Sequence, residues 1–79
     1  MVKRGQKMQK ILINCQMNQK EDVMRILKTN QYKAVEFLNE KEVILLLEVY
    51  DYQIYLLVKI MHDYSKNITV HVCQQISYF

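Results

Sequence analysis

Four stretches of the chain alternate between apolar and polar positions, and two stretches between them carry apolar residues at helical spacing. The alternation predicts β-strands over residues 10–17, 32–38, 42–50 and 68–74. The helical spacing predicts α-helices over residues 19–29 and 52–64. The elements therefore follow the order strand, helix, strand, strand, helix, strand.

Polar residues separate these elements and carry the expected capping and turn signals. Asn18 stands three residues before Glu21, which is a variant of the capping box, and Asp51 is a natural N-cap for the second helix. Asn39, Glu40 and Lys41 link the second and third strands, and Asn39 tolerates the left-handed conformation of a tight turn. A link this short predicts a β-hairpin.

The element order predicts an α+β fold of the ferredoxin-like kind. Two β-α-β units with right-handed crossovers give one four-stranded antiparallel sheet, in the order 4-1-3-2, with both helices on one face. We expect residues 1–9 to form a flexible basic tail and residues 10–79 to form a single domain. Because this fold hosts many unrelated functions, function has to be argued from particular residues.

Composition and charge restrict the classes of function. The 79 residues are 51% hydrophobic and 24% charged, which is typical of one globular domain. The net charge of +3 comes from the first ten residues, because the rest of the chain holds seven basic and eight acidic residues. The four basic residues of that segment, which predict at most weak and nonspecific binding of nucleic acid, are Lys3, Arg4, Lys7 and Lys10.

No segment of the sequence has the character of a membrane span or a secretory signal. The longest apolar runs have five residues, whereas a membrane helix needs about 20. Two cysteines do not make a disulfide framework. We therefore expect a cytoplasmic protein that does not associate with membranes.

The residue types that carry chemistry are scattered. Cys15 is expected to point toward the helices and Cys73 to the opposite side of the sheet, so that they do not form a disulfide. His71 and Cys73 share a strand face, but two ligands do not make a metal site. His62 lies on the polar side of the second helix. With no converging nucleophile and base, the sequence predicts a protein that is not an enzyme and has no cofactor or metal.

The third strand is the main anomaly, because residues 43–47 are apolar on both faces. In a sheet covered by helices on one side, Ile44 and Leu46 would lie with Leu12 on the uncovered side, as an exposed apolar patch. Three tyrosines cluster where this strand meets the second helix, and tyrosine suits interfaces: Tyr50, Tyr52 and Tyr55. The alternative is that the tail or residues 78–79 fold over the patch.

The three apolar residues of this patch and the three tyrosines indicate that the protein functions by association. The contact would use the open face of the sheet or the free edge of the second or fourth strand. A homodimer is expected before capture of a peptide or protein partner, because it needs no further component. The aromatic residues that RNA-recognition modules place on the first and third strands are absent.

Two families resemble the chain over residues 10–76. The segment Ile68-Thr69-Val70-His71-Val72-Cys73-Gln74 resembles the end of the short regulatory subunit of acetolactate synthase, which is an ACT domain. That resemblance implies a regulatory dimer that binds an amino acid at its interface, and so a small-molecule ligand. Residues 43–63 resemble the small chaperone of periplasmic nitrate reductase, which implies binding of a signal peptide on the open sheet.

Overall fold

The structure is a computed structural model, and it describes residues 8–73. The strands are β1 (Met8–Gln16), β2 (Ala34–Asn39), β3 (Glu42–Tyr50) and β4 (Thr69–Cys73). The helices are α1 (Lys20–Thr29) and α2 (Asp51–Tyr64), and a single 3₁₀ turn, Met17–Gln19, precedes α1. The predicted basic tail falls mostly outside the described residues, and β1 begins two residues before its predicted start.

All four strands form one antiparallel sheet in the order β2-β3-β1-β4. This is the predicted order read from the other edge, and the α+β ferredoxin-like fold is confirmed. β1 and β3 are both central, which explains why their apolar residues are so dense: each has a paired strand on either side. β2 and β4 are the two edges.

The hydrophobic core lies between one face of the sheet and the two helices. Ile11, Ile13 and Cys15 of β1 point into it, as do Val43, Leu45, Leu47 and Val49 of β3. Val23 and Leu27 of α1, Leu57 and Met61 of α2, and Ile68 complete the core. Cys15 is buried on the helix side, as the alternation predicts, and both cysteines are free thiols.

The helix starts differ from the sequence-based expectation. Asn18 is not the N-cap of α1, because the 3₁₀ turn takes up that position and the side-chain oxygen of Gln19 accepts the Gln16 amide hydrogen bond at 3.0 Å. Asp51 is the first residue of α2 and not its N-cap. Its carboxylate accepts a hydrogen bond from the Gln9 side chain at 2.7 Å, while Gln53 Oε1 accepts from the Tyr50 amide at 2.8 Å.

The turn of the hairpin between β2 and β3 consists of two residues. Asn39 pairs with Glu42 in the sheet, so Glu40 and Lys41 alone form the turn. Glu40 takes the left-handed conformation, with φ of 52°, and the prediction that placed Asn39 there is wrong. The register extends β2 by one residue, which holds Asn39 in the extended conformation of a strand.

A residue in the left-handed conformation terminates α1. Gln31 has a φ of 66°, its amide donates to the Lys28 carbonyl at 3.0 Å, and the Tyr32 amide donates to the Leu27 carbonyl at 2.8 Å. This pair of bonds is the Schellman motif, which usually has glycine at the left-handed position. Because Gln31 and Tyr32 complete the helix end, β2 begins at Ala34 and not at the predicted residue 32.

Candidate functional site: the open face of the sheet

Neither α1 nor α2 packs on the second face of the sheet, and five neighbouring apolar side chains lie together on it. Residues that oppose each other in an antiparallel pair point to the same face. Leu12 opposes Leu46, which in turn opposes Val35, and Ile44 opposes Phe37. We call these five residues the open-face patch: Leu12, Val35, Phe37, Ile44 and Leu46.

The patch is partly accessible to solvent. Leu12, Ile44 and Leu46 are half-buried by their strand neighbours, whereas Val35 is 58% exposed and Phe37 is 50% exposed. Leu12, Ile44 and Leu46 lie on the face where the alternation placed them. Val35 and Phe37 were missed, although the hairpin register determines their face once Asn39 is paired with Glu42.

Polar residues border the patch on the side of β4. Lys10 opposes Glu48 on β3 and Cys73 on β4, Asn14 opposes Thr69, and Leu12 opposes His71. Cys73 and His71 therefore lie on the open face, away from Cys15, as the alternation predicts. The apolar part of the face is displaced toward the β2 edge.

Two of the three predicted tyrosines contact each other. The rings of Tyr50 and Tyr52 stack, with centroids 5.6 Å apart and planes within 5° of each other. Tyr50 opposes Met8 and so lies on the open face, at one end of the patch. Tyr55 is 81% exposed on α2, which packs on the other face of the sheet, and its part in an interface stays a prediction.

A cavity of about 540 Å³ lies at the tyrosine end of the open face. Tyr50 and Leu46 line it from β3, Lys10 from β1, and Lys33 and Tyr32 from the segment before β2. The pKa of Tyr32 is raised, first by burial and then by the nearby Tyr52. Glu48 also lines this cavity and opposes Lys10, so the lining carries two lysines and one carboxylate beside aromatic and apolar side chains.

A second cavity, of about 630 Å³, lies between α1 and the start of β2, on the helix side of the sheet. Met24, Leu27 and Ala34 supply apolar surface. Arg25, Lys28 and Lys33 also line the cavity. We call it the α1–β2 groove.

The cysteines and histidines do not form a reactive centre within the part of the chain that the structure describes. Burial raises the pKa of the Cys15 thiol, which disfavours the reactive thiolate. His62 lies on the solvent side of α2, with Nε2 3.1 Å from the Ile68 carbonyl oxygen. Among residues 8–73, no three histidine, cysteine, aspartate or glutamate side chains are close enough to share a metal ion.

Of the four basic residues proposed for weak nucleic-acid binding, only Lys10 lies within the described residues. It is exposed on the open face opposite the acidic Glu48. Lys3, Arg4 and Lys7 fall outside the described residues. As for membranes, neither helix between residues 8 and 73 has the length and apolar content that a membrane span requires.

The fold resembles two solved structures of one protein, CPII from Thiomonas intermedia K12. The structure of CPII bound to ADP, AMP and acetate has a TM-score of 0.62 at 17% identity, covering 89% of either chain. The second, of CPII as a nitrogen regulatory PII-like protein bound to ADP, AMP and bicarbonate, has a TM-score of 0.61 at 14% identity. The matched region covers 91% of this chain and 96% of the CPII chain.

At such low identity this similarity concerns the fold alone. No protein-family model matches the chain, and no curated protein matches it in sequence. The structural neighbours are PII-like, so they fit the ferredoxin-like prediction but give no support to an ACT domain or a nitrate reductase chaperone in particular.

Proposed function

We propose that the protein is a small, non-catalytic regulatory module that associates with a second copy of itself through the open-face patch. The observation that carries the proposal is the group of five neighbouring apolar side chains on a sheet face that neither α1 nor α2 covers. Monomeric soluble domains seldom expose a contiguous apolar surface of this kind, and such surfaces usually bind another macromolecule.

The residues around the patch suit contact between two identical faces. Lys10 and Glu48 oppose each other at its border, so the border carries both signs of charge and no large excess of either. A two-fold axis places the same patch on both sides of the interface, where a mixed border can pair with itself. Each 100 Å² of apolar surface covered this way contributes about 2.5 kcal/mol before the cost of association.

The regulatory part of the proposal draws on the structural neighbours. CPII is described as a nitrogen regulatory PII-like protein, and its chain is covered almost completely by this one. A domain with that fold, in which residues 8–73 bring no nucleophile and base together, is suited to act by binding other molecules. The similarity is one of fold.

Light scattering coupled to size exclusion tests the proposal with a matched pair of variants. Phe37→Glu places a charge in the patch, and Leu56→Glu makes the same kind of change on the outer surface of α2, where Leu56 is 52% exposed. We expect the wild type and Leu56→Glu to be dimers and Phe37→Glu to be a monomer. A wild type that is monomeric at high concentration would contradict self-association.

A monomeric wild type would favour the alternative, a peptide-binding assembly chaperone. Such a protein would keep the same patch exposed until its target arrives. The dependence of the oligomeric state on protein concentration distinguishes the two functions. A dimer forms from the protein alone, whereas a chaperone changes its state only when the target peptide is added.

A small anionic ligand is a second candidate, favoured by the cavity at the tyrosine end of the open face. Lys10 and Lys33 outnumber Glu48 in its lining, which leaves a net positive charge, and Tyr50 supplies an aromatic ring. CPII was solved with ADP and AMP, which combine phosphates with an aromatic base. Titration calorimetry with ADP and AMP tests this, with Lys10→Glu expected to weaken binding and Lys66→Glu, which does not line the cavity, expected to leave it unchanged.

Weak nucleic-acid binding through Lys3, Arg4, Lys7 and Lys10 is the remaining alternative. If it occurs, binding should fall steeply with salt concentration, because it would depend on release of counterions from phosphates. A tight and sequence-selective complex at physiological salt would contradict the proposed function.

A further inference from the structure

Self-association through the open-face patch uses the side chains of Val35 and Phe37 but leaves the backbone edge of β2 free. β2 pairs with β3 on one side and is the last strand of the sheet. Val35, Phe37 and Leu38 are each at least half exposed, with Leu38 at 57%. A long apolar edge is a surface that proteins normally shield with charges or cover with another element.

The register shows which backbone groups face outward. Asn39 and Glu42 close a two-residue turn, which makes them a hydrogen-bonded pair. Because such pairs alternate along antiparallel strands, Phe37 and Val35 also bond to β3, and the peptide groups of Ala34, Glu36 and Leu38 point away from the sheet. These groups can donate to and accept from an added strand.

The α1–β2 groove lies beside this edge. Lys20 at the start of α1 forms an ion pair with Glu36 at 2.5 Å, and Asp22 accepts a hydrogen bond from Tyr64 of α2. These contacts place β2 on one flank of α1 and α2 on the other. Met24 and Lys28, four residues apart on α1, line the groove together with Ala34, the first residue of β2.

The charge of the groove is positive. Arg25, Lys28 and Lys33 line it, and no acidic residue does. Arg25 is paired with Asp22 outside the lining, whereas within residues 8–73 neither Lys28 nor Lys33 has an ion-pair partner. A ligand that presents apolar groups to Met24 and Leu27 and an anionic group to the lysines would be complementary.

We propose that an extended, acidic segment of a partner protein adds to the edge of β2 as a fifth strand and fills the α1–β2 groove. Alternate side chains of an added strand point to opposite faces, so its apolar residues on the helix side enter the groove. Its residues on the other face would extend the open-face patch beside Val35 and Phe37. An acidic residue near the start of β2 would meet Lys28 and Lys33.

A second copy of this chain fits the groove less well. The only acidic residue of β2 is Glu36, which is already paired with Lys20. Residue Lys33, just before β2, would bring a further positive charge to a groove that has three. The occupant is therefore a different chain, and the proposal is independent of self-association through the open-face patch.

Fluorescently labelled octapeptides provide the probe. One set carries glutamate at both ends and valine, leucine or phenylalanine at alternate internal positions, with threonine between them. A matched set carries lysine at the ends, and a third has N-methyl groups on alternate amides, which removes the donors that pair with β2. We expect acidic peptides to bind, lysine peptides to bind about tenfold more weakly, and N-methylated peptides not to bind.

Two double variants of equal charge change locate the site. Lys28→Glu with Lys33→Glu should weaken binding of the acidic peptides by about tenfold, since each removes an attraction and adds a repulsion. Lys59→Glu with Lys66→Glu, both exposed and outside the groove, should leave it unchanged. Amide exchange should slow at Ala34, Glu36 and Leu38 when the acidic peptide is added.

Several outcomes would overturn the proposal. The first is that no acidic peptide binds, and the second is that the acidic and lysine peptides bind equally well. The third is that the peptide slows amide exchange on β1 and β3 instead of β2. Protection of β2 that rises with protein concentration in the absence of peptide would instead identify a second copy as the occupant. Light scattering on the Lys28→Glu and Lys33→Glu variant separates this result from the proposed dimer, whose patch contains neither lysine.

Discussion

The phenolic hydroxyl of Tyr64, at the end of α2, donates a hydrogen bond of 2.7 Å to the carboxylate of Asp22 near the start of α1. Asp22 also pairs with Arg25 on its own helix. The pKa of Tyr64 is raised, first by this hydrogen bond and then by burial and by the charge of Asp22. The two helices, which are far apart in sequence, are therefore joined by a polar contact at the rim of the core.

This contact predicts a change of stability at alkaline pH. A tyrosine whose pKa is higher in the folded state contributes stability that is present below its unfolded pKa, about 10, and lost as pH rises through the folded pKa. We expect the free energy of unfolding to fall above about pH 10 in the wild type and to fall less in Tyr64→Phe. Urea denaturation at a series of pH values measures both slopes. Equal slopes in the two proteins would contradict the prediction.

The two cysteines should differ in reactivity. Cys15 is buried at 3% exposure and burial raises its thiol pKa, whereas Cys73 lies on the open face near the border of the patch. We expect Cys73 to react with iodoacetamide at least about tenfold faster than Cys15 under native conditions, because Cys15 must wait for local or global opening. Peptide mass spectrometry after timed labelling measures each rate. In concentrated urea the two rates should converge, and a difference that persists there would point to another cause.

The fold was predictable because its signals are local and repeated. Alternation in β1 and β3 placed Ile13 and Leu45 in the core and Leu12 and Leu46 on the other face, and the structure has them there. The helical spacing over residues 52–64 likewise located α2, whose Leu57 and Met61 lie in the core. These assignments depend only on the periods of strands and helices, which the sequence expresses directly.

The turns and much of the site were not predictable, because they depend on contacts between distant residues. The local sequence predicts Asp51 as the N-cap of α2, but its carboxylate accepts a hydrogen bond from Gln9, which is 42 residues away. Glu36 forms an ion pair with Lys20 of α1, which no local pattern in the sequence indicates. Phe37 was assigned to no surface, because its face follows from a hairpin register that one residue of error reverses.

Replacing Gln31 with glycine should stabilise the protein. Gln31 has a φ of 66° at the end of α1, a conformation that costs a residue with a β-carbon about 1 kcal/mol and glycine almost nothing. We expect Gln31→Gly to raise the free energy of unfolding by about 0.5–1 kcal/mol, after allowance for the greater freedom of glycine in the unfolded chain. Thermal unfolding measures the change. Gln31→Ala is the control, since it keeps the β-carbon and should give no gain.

Leu45 and Leu46 are neighbours of the same residue type that point to opposite faces of β3, and they separate folding from association. Leu45 is fully buried, so Leu45→Ala should cost about 2–5 kcal/mol of unfolding free energy. Leu46 is half-buried in the open-face patch, and in the monomer Leu46→Ala should cost about 1 kcal/mol.

Association adds a second effect that only Leu46→Ala should change. If two copies pair through the open-face patch, the unfolding midpoint of the wild type rises with protein concentration, because dimerisation stabilises the folded state by mass action. We expect Leu46→Ala to flatten this dependence, and Leu45→Ala to keep it around a lower midpoint. Scanning fluorimetry over about a hundredfold range of concentration gives both quantities. A dependence that Leu46→Ala leaves intact would move the interface away from the open face, since Leu46 opposes both Leu12 and Val35 at the middle of the patch.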